Sequence, residues 1–589
     1  MGAPVCLEYR IEGNDFMVAG AASNNIKNTL KMLGIDSGIC RRVAIITYEA
    51  EINLVIHAGG GMLKAEIYED HVVLIAEDQG PGIADISKAM TEGFTTASDQ
   101  AREMGFGAGM GLPNIKRNSD VFNIESEVGV GTTLTCTVYF NEKIDARGGT
   151  AMLHSVKISR AACQGCVNCI RVCPTEAIRI VDGEISILEE LCIDCGECLR
   201  SCHRQALGIE EDDWNAVREN QNVPIVTDPV FFSQFSHYND PSTLEAVLAS
   251  MNVNPLIDEI EEAFDLSAAA TAQMIARAAP ASLPLISCYC PSALRLIQAR
   301  FPELLSRVVP VFSPLELAAD LWKMRTSSSA PVTLLAPCSA KITMVREPQG
   351  RERSPLDAAV TVRRVARSIM AGNVSAAHDH PRKLRSNRWI QWARRGGESK
   401  HIQAFSEKKL NLIAVSGMRN TIDVLQELEL GRLRNVDFVE CRTCDTGCVG
   451  GVGTADSRFL ASLRLNNIQT DWNVTPQNQR RVEELCAMDF WTITKDYAPR
   501  PRLPLSNNVA EAMVKLQQMK EIYSGLPHID CGSCGRPSCQ AMAEEIVRGH
   551  GSVTDCIFKL REGIASLANK IVVLSESQPQ TLKRRSGTK

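Results

Sequence analysis

CQGCVNCIRVCPTEAIRIVDGEISILEELCIDCGECLRSCH, residues 163–203, governs the reading of the whole chain. It holds two runs of the form C-x2-C-x2-C-x3-C: Cys163, Cys166, Cys169 and Cys173, then Cys192, Cys195, Cys198 and Cys202. Thiolates at this spacing hold a [4Fe-4S] cubane, and where two such runs occur together the fourth cysteine of each serves the other cluster. One cluster is then expected on Cys163, Cys166, Cys169 and Cys202, the other on Cys192, Cys195, Cys198 and Cys173. Asp182-Gly183, between the runs, reads as the turn of a hairpin. Zinc is the competing ligand, but eight cysteines in two such runs suit two cubanes better than tetrahedral pairs. Two adjacent clusters make an electron wire rather than a catalyst.

Outward from this stretch the cysteines continue in sets. Cys531, Cys534, Cys539 and Cys556 follow C-x2-C-x4-C-x16-C, with Pro537 and glycines that suit a loop around a cluster. Apolar runs that read as buried strands end in cysteine motifs: ASLPLISCYCP with Cys290, APVTLLAPCSAK with Cys338, and VDFVECRTCDTGCVGG with Cys444 and Cys448. Amphipathic stretches such as PSALRLIQARFPELL and LDAAVTVRRVARSIM read as the helices between them, and ligands at strand ends are what open α/β sheets favour. Sixteen of the 22 cysteines belong to these sets. Cys6, Cys40, Cys136, Cys288, Cys441 and Cys486 do not. A reducing compartment keeps thiols unpaired, so this usage points to metal, not disulfides.

The chain has 589 residues, enough for about four domains. A net charge of -6 and 5% aromatic residues argue against a nucleic-acid partner, which calls for a basic excess and stacking rings. No apolar run reaches the roughly 18 residues that span a bilayer, and the N-terminus lacks a signal-peptide pattern. A cytoplasmic protein without a membrane span is expected. RKLRSNRWIQWARRGGESKH (382–401) is basic, and reads as a solvated insertion or as a docking loop for an acidic partner.

Before residue 150 glycine replaces cysteine as the dominant signal. A helix-like stretch, Ile39 to Gly60, carries Glu49 and Asn53 four apart on one face. An alternating strand ends at Asp78, Gly80 and Gly82. Gly105, Gly107, Gly109 and Gly111 precede a helical run, and EVGVGTTLTCTVYF adds Gly131-Thr132. Glycines let backbone approach phosphates, and a helix start offers free N–H groups to an anion. Asn53 could ligate magnesium, Glu49 could act as general base, and Asp78 could accept from an adenine amino group.

These boxes, in order, resemble the anti-sigma-factor serine kinases of the histidine-kinase-type ATPases. The resemblance implies an α/β sandwich binding ATP with Mg, with Glu49 catalytic and Asn53, Asp78, Gly80, Gly82, Gly107, Gly109, Gly111 and Thr132 around the nucleotide. It also implies a Ser or Thr on an anti-anti-sigma-like protein as phosphorylation target. The three strand-end motifs resemble the large domain of [FeFe] hydrogenases. That implies a cubane on Cys290, Cys338, Cys444 and Cys448, a two-iron CO/cyanide subsite bridged by Cys448, and Lys341 donating to a cyanide. The last cysteine set resembles the small [4Fe-4S] domain of corrinoid proteins and redox regulators, making four [4Fe-4S] clusters in all.

The departures from the hydrogenase pattern bear on function. Tyr289 stands where hydrogen-producing members have a relay cysteine; Cys288 lies one position earlier. Met344 stands for an acid, with Glu347 the nearest carboxylate in sequence, and Arg442 for a methionine. Proton delivery needs a group of suitable pKa in reach, so fast hydrogen turnover is not expected, as in the sensory branch of the family.

The expected fold class is multidomain α/β and α+β. Residues 1–145 form the ATPase sandwich, 150–212 a two-cluster ferredoxin domain and 213–500 the hydrogenase-like α/β domain. Residues 501–565 form a small cluster domain, and 566–589 a disordered tail. The function expected is a redox or hydrogen sensor coupling cluster state to the kinase-like domain. The alternatives are an electron-transfer subunit of a hydrogenase or bifurcating complex, with ferredoxin or hydrogenase subunits as redox partners, and a slow [FeFe] hydrogenase. Whether the chain is a serine/threonine protein kinase, a hydrogenase-type oxidoreductase or both is left open by the residues.

Overall fold

The computed structural model describes residues 4–13, 19–96, 109–140, 154–181, 183–219, 222–235, 241–371, 387–500 and 504–576. The first sheet contains β1 (Val5–Glu12), β2 (Gly60–Ile67), β3 (His71–Glu77), β4 (Val121–Glu127) and β5 (Gly131–Tyr139), antiparallel in the order β1-β2-β3-β5-β4. Side chains alternate across a strand. Leu63, Ala65, Ile67, Val72, Leu74, Ala76, Leu134, Cys136 and Val138 therefore share one buried face. Helices Ala21–Met32, Ser37–Asn53 and Gly111–Asn118 contribute Ile26, Leu30, Val43, Ile46 and Ile115 to the same apolar cluster. Asp36 caps the second helix, accepting from Gly38 N at 2.8 Å and Ile39 N at 3.4 Å. This is the expected sandwich. Its long helix differs in one respect: the α-helix ends at Asn53, and a π-turn, Leu54–Ala58, carries the chain to Gly59 at φ 72°. A left-handed residue there ends the spiral without steric cost only because it is glycine.

The cysteine-rich stretch folds as two related halves. β6 (Val156–Ile158) pairs with β9 (Leu207–Ile209), and β7 (Ile178–Val181) with β8 (Glu184–Ile187). The hairpin is the expected one: Gly183 has φ 79°, and Asp182 lies outside the described residues. Left-handed residues recur at matching places in the halves: Gly165 and Asp194, Val167 and Gly196, Glu176 and Gln205. The short helices Asn168–Val172 and Glu197–Ser201 pack on each other.

The large α/β part has two parallel sheets. One contains β10 (Val223–Thr227), β11 (Val253–Pro255), β13 (Thr333–Ala336) and β14 (Ala358–Thr361) in the order β11-β10-β13-β14. The other contains β12 (Leu285–Ile286), β15 (Leu412–Ser416) and β16 (Phe438–Arg442) in the order β12-β16-β15. Parallel sheets are covered on both faces, which explains the continuous apolar runs. Two sequence readings need correction. LDAAVTVRRVARSIM is not one helix: Ala358–Thr361 is strand β14 and the helix starts at Val362, because pairing with β13 buries Ala359, Val360 and Thr361. The described part of the basic stretch is neither a solvated insertion nor an exposed loop. Trp389 and Trp392 are buried against Phe232, Phe264 and Tyr289, and Arg388 is drawn inside by Asp265 at 3.1 Å.

After residue 504 come helices Val509–Gly525, Cys539–Val547 and Ile557–Glu576. Leu505, Ala512, Met513, Leu516, Met519, Cys539, Met542 and Cys556 join the core of the first sheet in one apolar cluster. Leu505 N donates to Met32 O at 3.1 Å, and Lys520 Nζ to Cys6 O at 3.4 Å. The last helix runs through residues 566–576, where disorder was expected; 577–589 lie outside the described residues. Straight-chain Leu, Lys and Ala favour a helix here. Ile564, Leu567, Ile571, Val573 and Leu574 stay exposed, so no buried stripe marked it in the sequence. Among the described residues no helix is long and apolar enough to cross a membrane.

Candidate functional site

The nucleotide boxes meet at one end of the first sheet. Glu49 and Asn53 project from the Ser37–Asn53 helix toward the start of the Gly111–Asn118 helix. A methyl group on Gly111 would stand 3.2 Å from Asn53 Oδ1 and 3.4 Å from Glu49 Oε2. Asn114 Nδ2 donates to Glu49 Oε1 at 2.7 Å, a contact the sequence did not signal. Burial holds the Glu49 carboxyl above its usual range, against the pull of Asn114 and Arg434. Asp78 Oδ1 accepts from Gly80 N at 2.8 Å and Thr132 N at 3.2 Å, so two loops are tied through one carboxylate. Thr132 Oγ1 lies 2.8 Å from Ser126 Oγ. A side chain on Gly82 would meet Glu127 O at 2.2 Å, and Gly109 is at φ 70° against Gly93. Gly107 lies outside the described residues. A carboxylate, an amide oxygen and glycine backbone beside a helix start suit a magnesium nucleotide.

The two cysteine runs are built alike. Ala177 N donates to Cys173 Sγ at 3.2 Å and Ala206 N to Cys202 Sγ at 3.3 Å, the same bond in each half. Burial pushes the Cys192 thiol up to about 12, with Cys173 among the charges raising it; Cys195 and Cys198 are likewise raised by burial and by Cys173. Cys173 thus sits with the second run. The Cys169 thiol is pushed up to about 11 by burial, with Cys166 and Cys163 adding repulsion. A single zinc ion would draw four sulfurs to within about 4 Å of one another. Among the described residues no three His, Cys, Asp or Glu side chains are grouped so as to hold a metal ion.

Each half touches a different neighbour. The second run faces the large α/β part. Asp194 accepts from Arg295 Nη1 at 2.5 Å and Thr343 Oγ1 at 3.0 Å, and Ser339 Oγ donates to Asp194 O at 2.8 Å. Arg200 Nη2 lies 3.5 Å from Cys444 Sγ and also donates to Gly450 O. The first half faces the C-terminal part. Ile180 N donates to Gly535 O at 2.9 Å, Arg179 Nε to Glu545 Oε1 at 3.1 Å, and Gly532 lies against Val167 and Arg171. The four cysteine sets therefore lie in series.

At the large-domain end, Cys290 and Cys338 cap the helices Pro291–Arg300 and Ser339–Arg346, while Cys444 and Cys448 follow β16. Cys290 Sγ is 3.7 Å from Thr443 Oγ1. Burial pushes Cys448 up to about 12, opposed by Lys341 and Arg442, and Cys444 up to about 11, opposed by Arg200. Lys341 Nζ pairs with Asp228 Oδ2 at 2.5 Å, both buried. Cys288 turns away, donating to Val311 O at 3.2 Å, and Glu347 is held by Arg295 at 2.8 Å. Cys441 is fully buried, and burial raises its thiol. Asp228 and Arg200 were missed in the sequence; only the place of Asp228 just after an apolar run hinted at a strand-end ligand.

The helix Met418–Glu429 connects this end to the nucleotide helices. At its start Gly417 N donates to Arg442 O at 3.0 Å and Cys444 O at 3.2 Å, and Thr421 Oγ1 to Arg442 O at 3.0 Å. At its finish Glu429 pairs with Lys27, both nearly buried, and Arg432 donates to Tyr48 Oη and, at 3.3 Å, to Ala19 O. Tyr48 is the residue beside Glu49.

Four family models match the chain. Residues 38–142 match the histidine kinase-, DNA gyrase B- and HSP90-like ATPases, and 162–207 the 4Fe-4S dicluster domain. Residues 221–388 and 390–452 match the iron only hydrogenase large subunit, C-terminal domain, and 526–558 an Fe-S cluster family. The chain is 37% identical to serine/threonine-protein kinase RsbT of Bacillus subtilis over 112 residues, 18% of this chain and 78% of that protein. It is 34% identical to anti-sigma F factor of Caldanaerobacter subterraneus over 96 residues, 15% of this chain and 64% of that protein. Among solved structures, the [FeFe]-hydrogenase HydA(deltaEFG) has a TM-score of 0.39 at 12% identity, covering 49% of this chain and 97% of that one. A variant of [FeFe]-hydrogenase HydA1 from Chlamydomonas reinhardtii has a TM-score of 0.39 at 13% identity, covering 48% and 95%.

Proposed function

This chain belongs, through its first part, to the family of serine/threonine-protein kinase RsbT, and joins to it an iron only hydrogenase large-subunit domain; from that premise we propose that it is a redox-sensing protein kinase. The working division is the one read from the sequence: ATPase 1–145, ferredoxin part 150–212, hydrogenase-like part 213–500, last cluster part 501–565. Cys163, Cys166, Cys169 and Cys202 would hold one cubane, and Cys192, Cys195, Cys198 and Cys173 the second. Cys290, Cys338, Cys444 and Cys448 would hold the third, and Cys531, Cys534, Cys539 and Cys556 the fourth. Bound clusters supply reversible one-electron storage. In the ATPase part Asn53 would hold magnesium and Asp78 the adenine, while Glu49 accepts the proton of a target Ser or Thr hydroxyl as it attacks the γ-phosphate.

The observation that carries this reading is the Met418–Glu429 helix. One end is bonded to the Cys444 loop; Glu429 at the other holds Lys27, and Arg432 just beyond it holds Tyr48 on the helix that carries Glu49. Coupling requires two states that both sites distinguish, and a change of cluster charge acts directly on the loop this helix starts from. The test is anaerobic phosphorylation of an anti-anti-sigma-like protein by the clustered chain, oxidised and reduced. Labelling that differs severalfold between the states is expected. Equal labelling removes the sensor reading, and no labelling in either state removes the kinase reading.

A cleft of about 860 Å³ favours a second reading, an electron-transfer subunit. Cys202 lies in its wall with Arg200, Arg363, Arg364 and Arg367 against Glu211 and Asp213, a mouth with a net basic excess beside a cluster ligand that suits an acidic ferredoxin-like partner. Electron transfer to such a partner, lost with salt and with Arg367→Glu, would favour it.

A further inference from the structure

The hydrogenase resemblance implies a two-iron CO/cyanide subsite on Cys448. Such a subsite needs two things at that sulfur: open space, and free hydrogen-bond donors for its anionic ligands. At Cys448 a ring is packed beside the sulfur and the neighbouring cations are already paired with carboxylates.

Tyr289 is the ring packed between Lys341 and Arg442, the two cations that act on Cys448. Its ring is 1% exposed and lies in the same apolar core as Cys448. Lys341 Nζ stands 3.7 Å from the ring centroid and the Arg442 guanidinium 4.5 Å, so the ring is clamped by two cations. Phe264 and Trp392 meet it edge-on at 5.9 and 5.0 Å. The Tyr289 hydroxyl donates to Asp228 Oδ2 at 3.2 Å.

Both cations already serve carboxylates, although Arg442 Nε itself has no hydrogen-bond partner among the described residues. Lys341 is paired with Asp228 at 2.5 Å. Arg442 Nη2 is paired with Glu398 at 2.7 Å and lies 3.7 Å from Glu440. Ser287 Oγ also bonds Glu398, at 2.7 Å. Two buried cations thus face three buried carboxylates, and adding a cyanide-bearing group would deepen an existing negative excess. Breaking any of these pairs strands a buried charge.

We propose that the centre at Cys290, Cys338, Cys444 and Cys448 is closed to a two-iron subsite, with Tyr289 in its place, so that Cys448 serves the cubane alone. The centre then stores and passes electrons and does not process hydrogen. This rests on the reading that these four cysteines hold a cubane.

The test is to treat the reconstituted full chain with hydrogenase maturation factors, beside an authentic [FeFe] hydrogenase that takes up the subsite. Infrared spectra in the metal-CO and cyanide region are read together with iron content. No bands, with iron near sixteen per chain for four cubanes, is the expected result. Bands, with two further irons, would overturn the proposal. Tyr289→Gly, in protein that keeps its cubane electron-spin signals, should gain those bands; a silent variant with intact cubanes would mean that Tyr289 is not the closure. Loss of the Cys290-set cubane signal in the untreated wild type would instead sink the underlying cubane reading.

Discussion

Glu49 combines a helix position legible in the sequence with an environment that was not. Its spacing from Asn53 is local, so the pair could be read from four residues of chain. The Asn114 amide at 2.7 Å comes from a helix some sixty residues on and needed the fold. Burial raises its pKa, and a general base works only when ionised, so the phosphorylation rate should fall with pH at a value above the usual carboxylate range. A pH–rate profile checks this, and Arg434→Ala should move the inflection further up, since that cation opposes the shift. Glu49→Gln should lower the rate by about 10²–10⁴-fold while nucleotide binding persists. The cluster cysteines were legible for the same local reason where their spacing is short. Asp228 and Arg200 were not, because a strand end of the parallel sheet and a short helix of the ferredoxin part bring them to Cys448 and Cys444 from distant sequence. Arg200 favours the more negative, reduced cluster beside Cys444. Arg200→Gln should therefore lower that cluster's midpoint potential by about 30–60 mV, roughly 0.7–1.4 kcal/mol for one electron; a redox titration followed by electron-spin resonance measures it.

Among the elements, the Met418–Glu429 helix has the largest consequence. It is 12 residues long, about 18 Å, and bonded at both ends. Its Glu429–Lys27 pair is nearly buried, so Lys27→Ala leaves a carboxylate without its cation at a cost of about 3–5 kcal/mol. Lys27→Ala with Glu429→Ala should cost clearly less, because no charge is stranded; denaturant unfolding of both variants decides this. The double variant should also phosphorylate at similar rates in both redox states if this helix carries the signal. The sequence pattern marked most elements of the nucleotide part because alternation and helical spacing were clean there. It failed at LDAAVTVRRVARSIM, where a four-residue buried strand runs straight into an amphipathic helix and only pairing with β13 separates them. It also failed at Trp389 and Trp392, whose basic neighbours suggested solvent while Asp265 and the aromatic cluster drew the segment inside.

For the whole molecule, four cysteine sets in series lead from the hydrogenase-like part to a C-terminal part that shares its apolar core with the ATPase sheet. Domain content was legible from motifs; the order of contacts was not, because no local spacing records which face meets which. Replacing Cys531 and Cys539 by Ser should loosen that common core. Faster amide exchange in residues 5–139 is the expected result, and unchanged protection there would contradict the shared packing. The same core sets a timetable for biosynthesis. Lys520 bonds Cys6 across 514 positions of chain, and ribosomes add about 5–20 residues per second. Its last strand ends at Tyr139, so the emerging sandwich waits roughly 20–75 s for Leu516 and Met519, with the apolar surface they will cover in water. In that interval it is a natural client for chaperones, and it reaches its final packing only after every cysteine set but the last has left the tunnel.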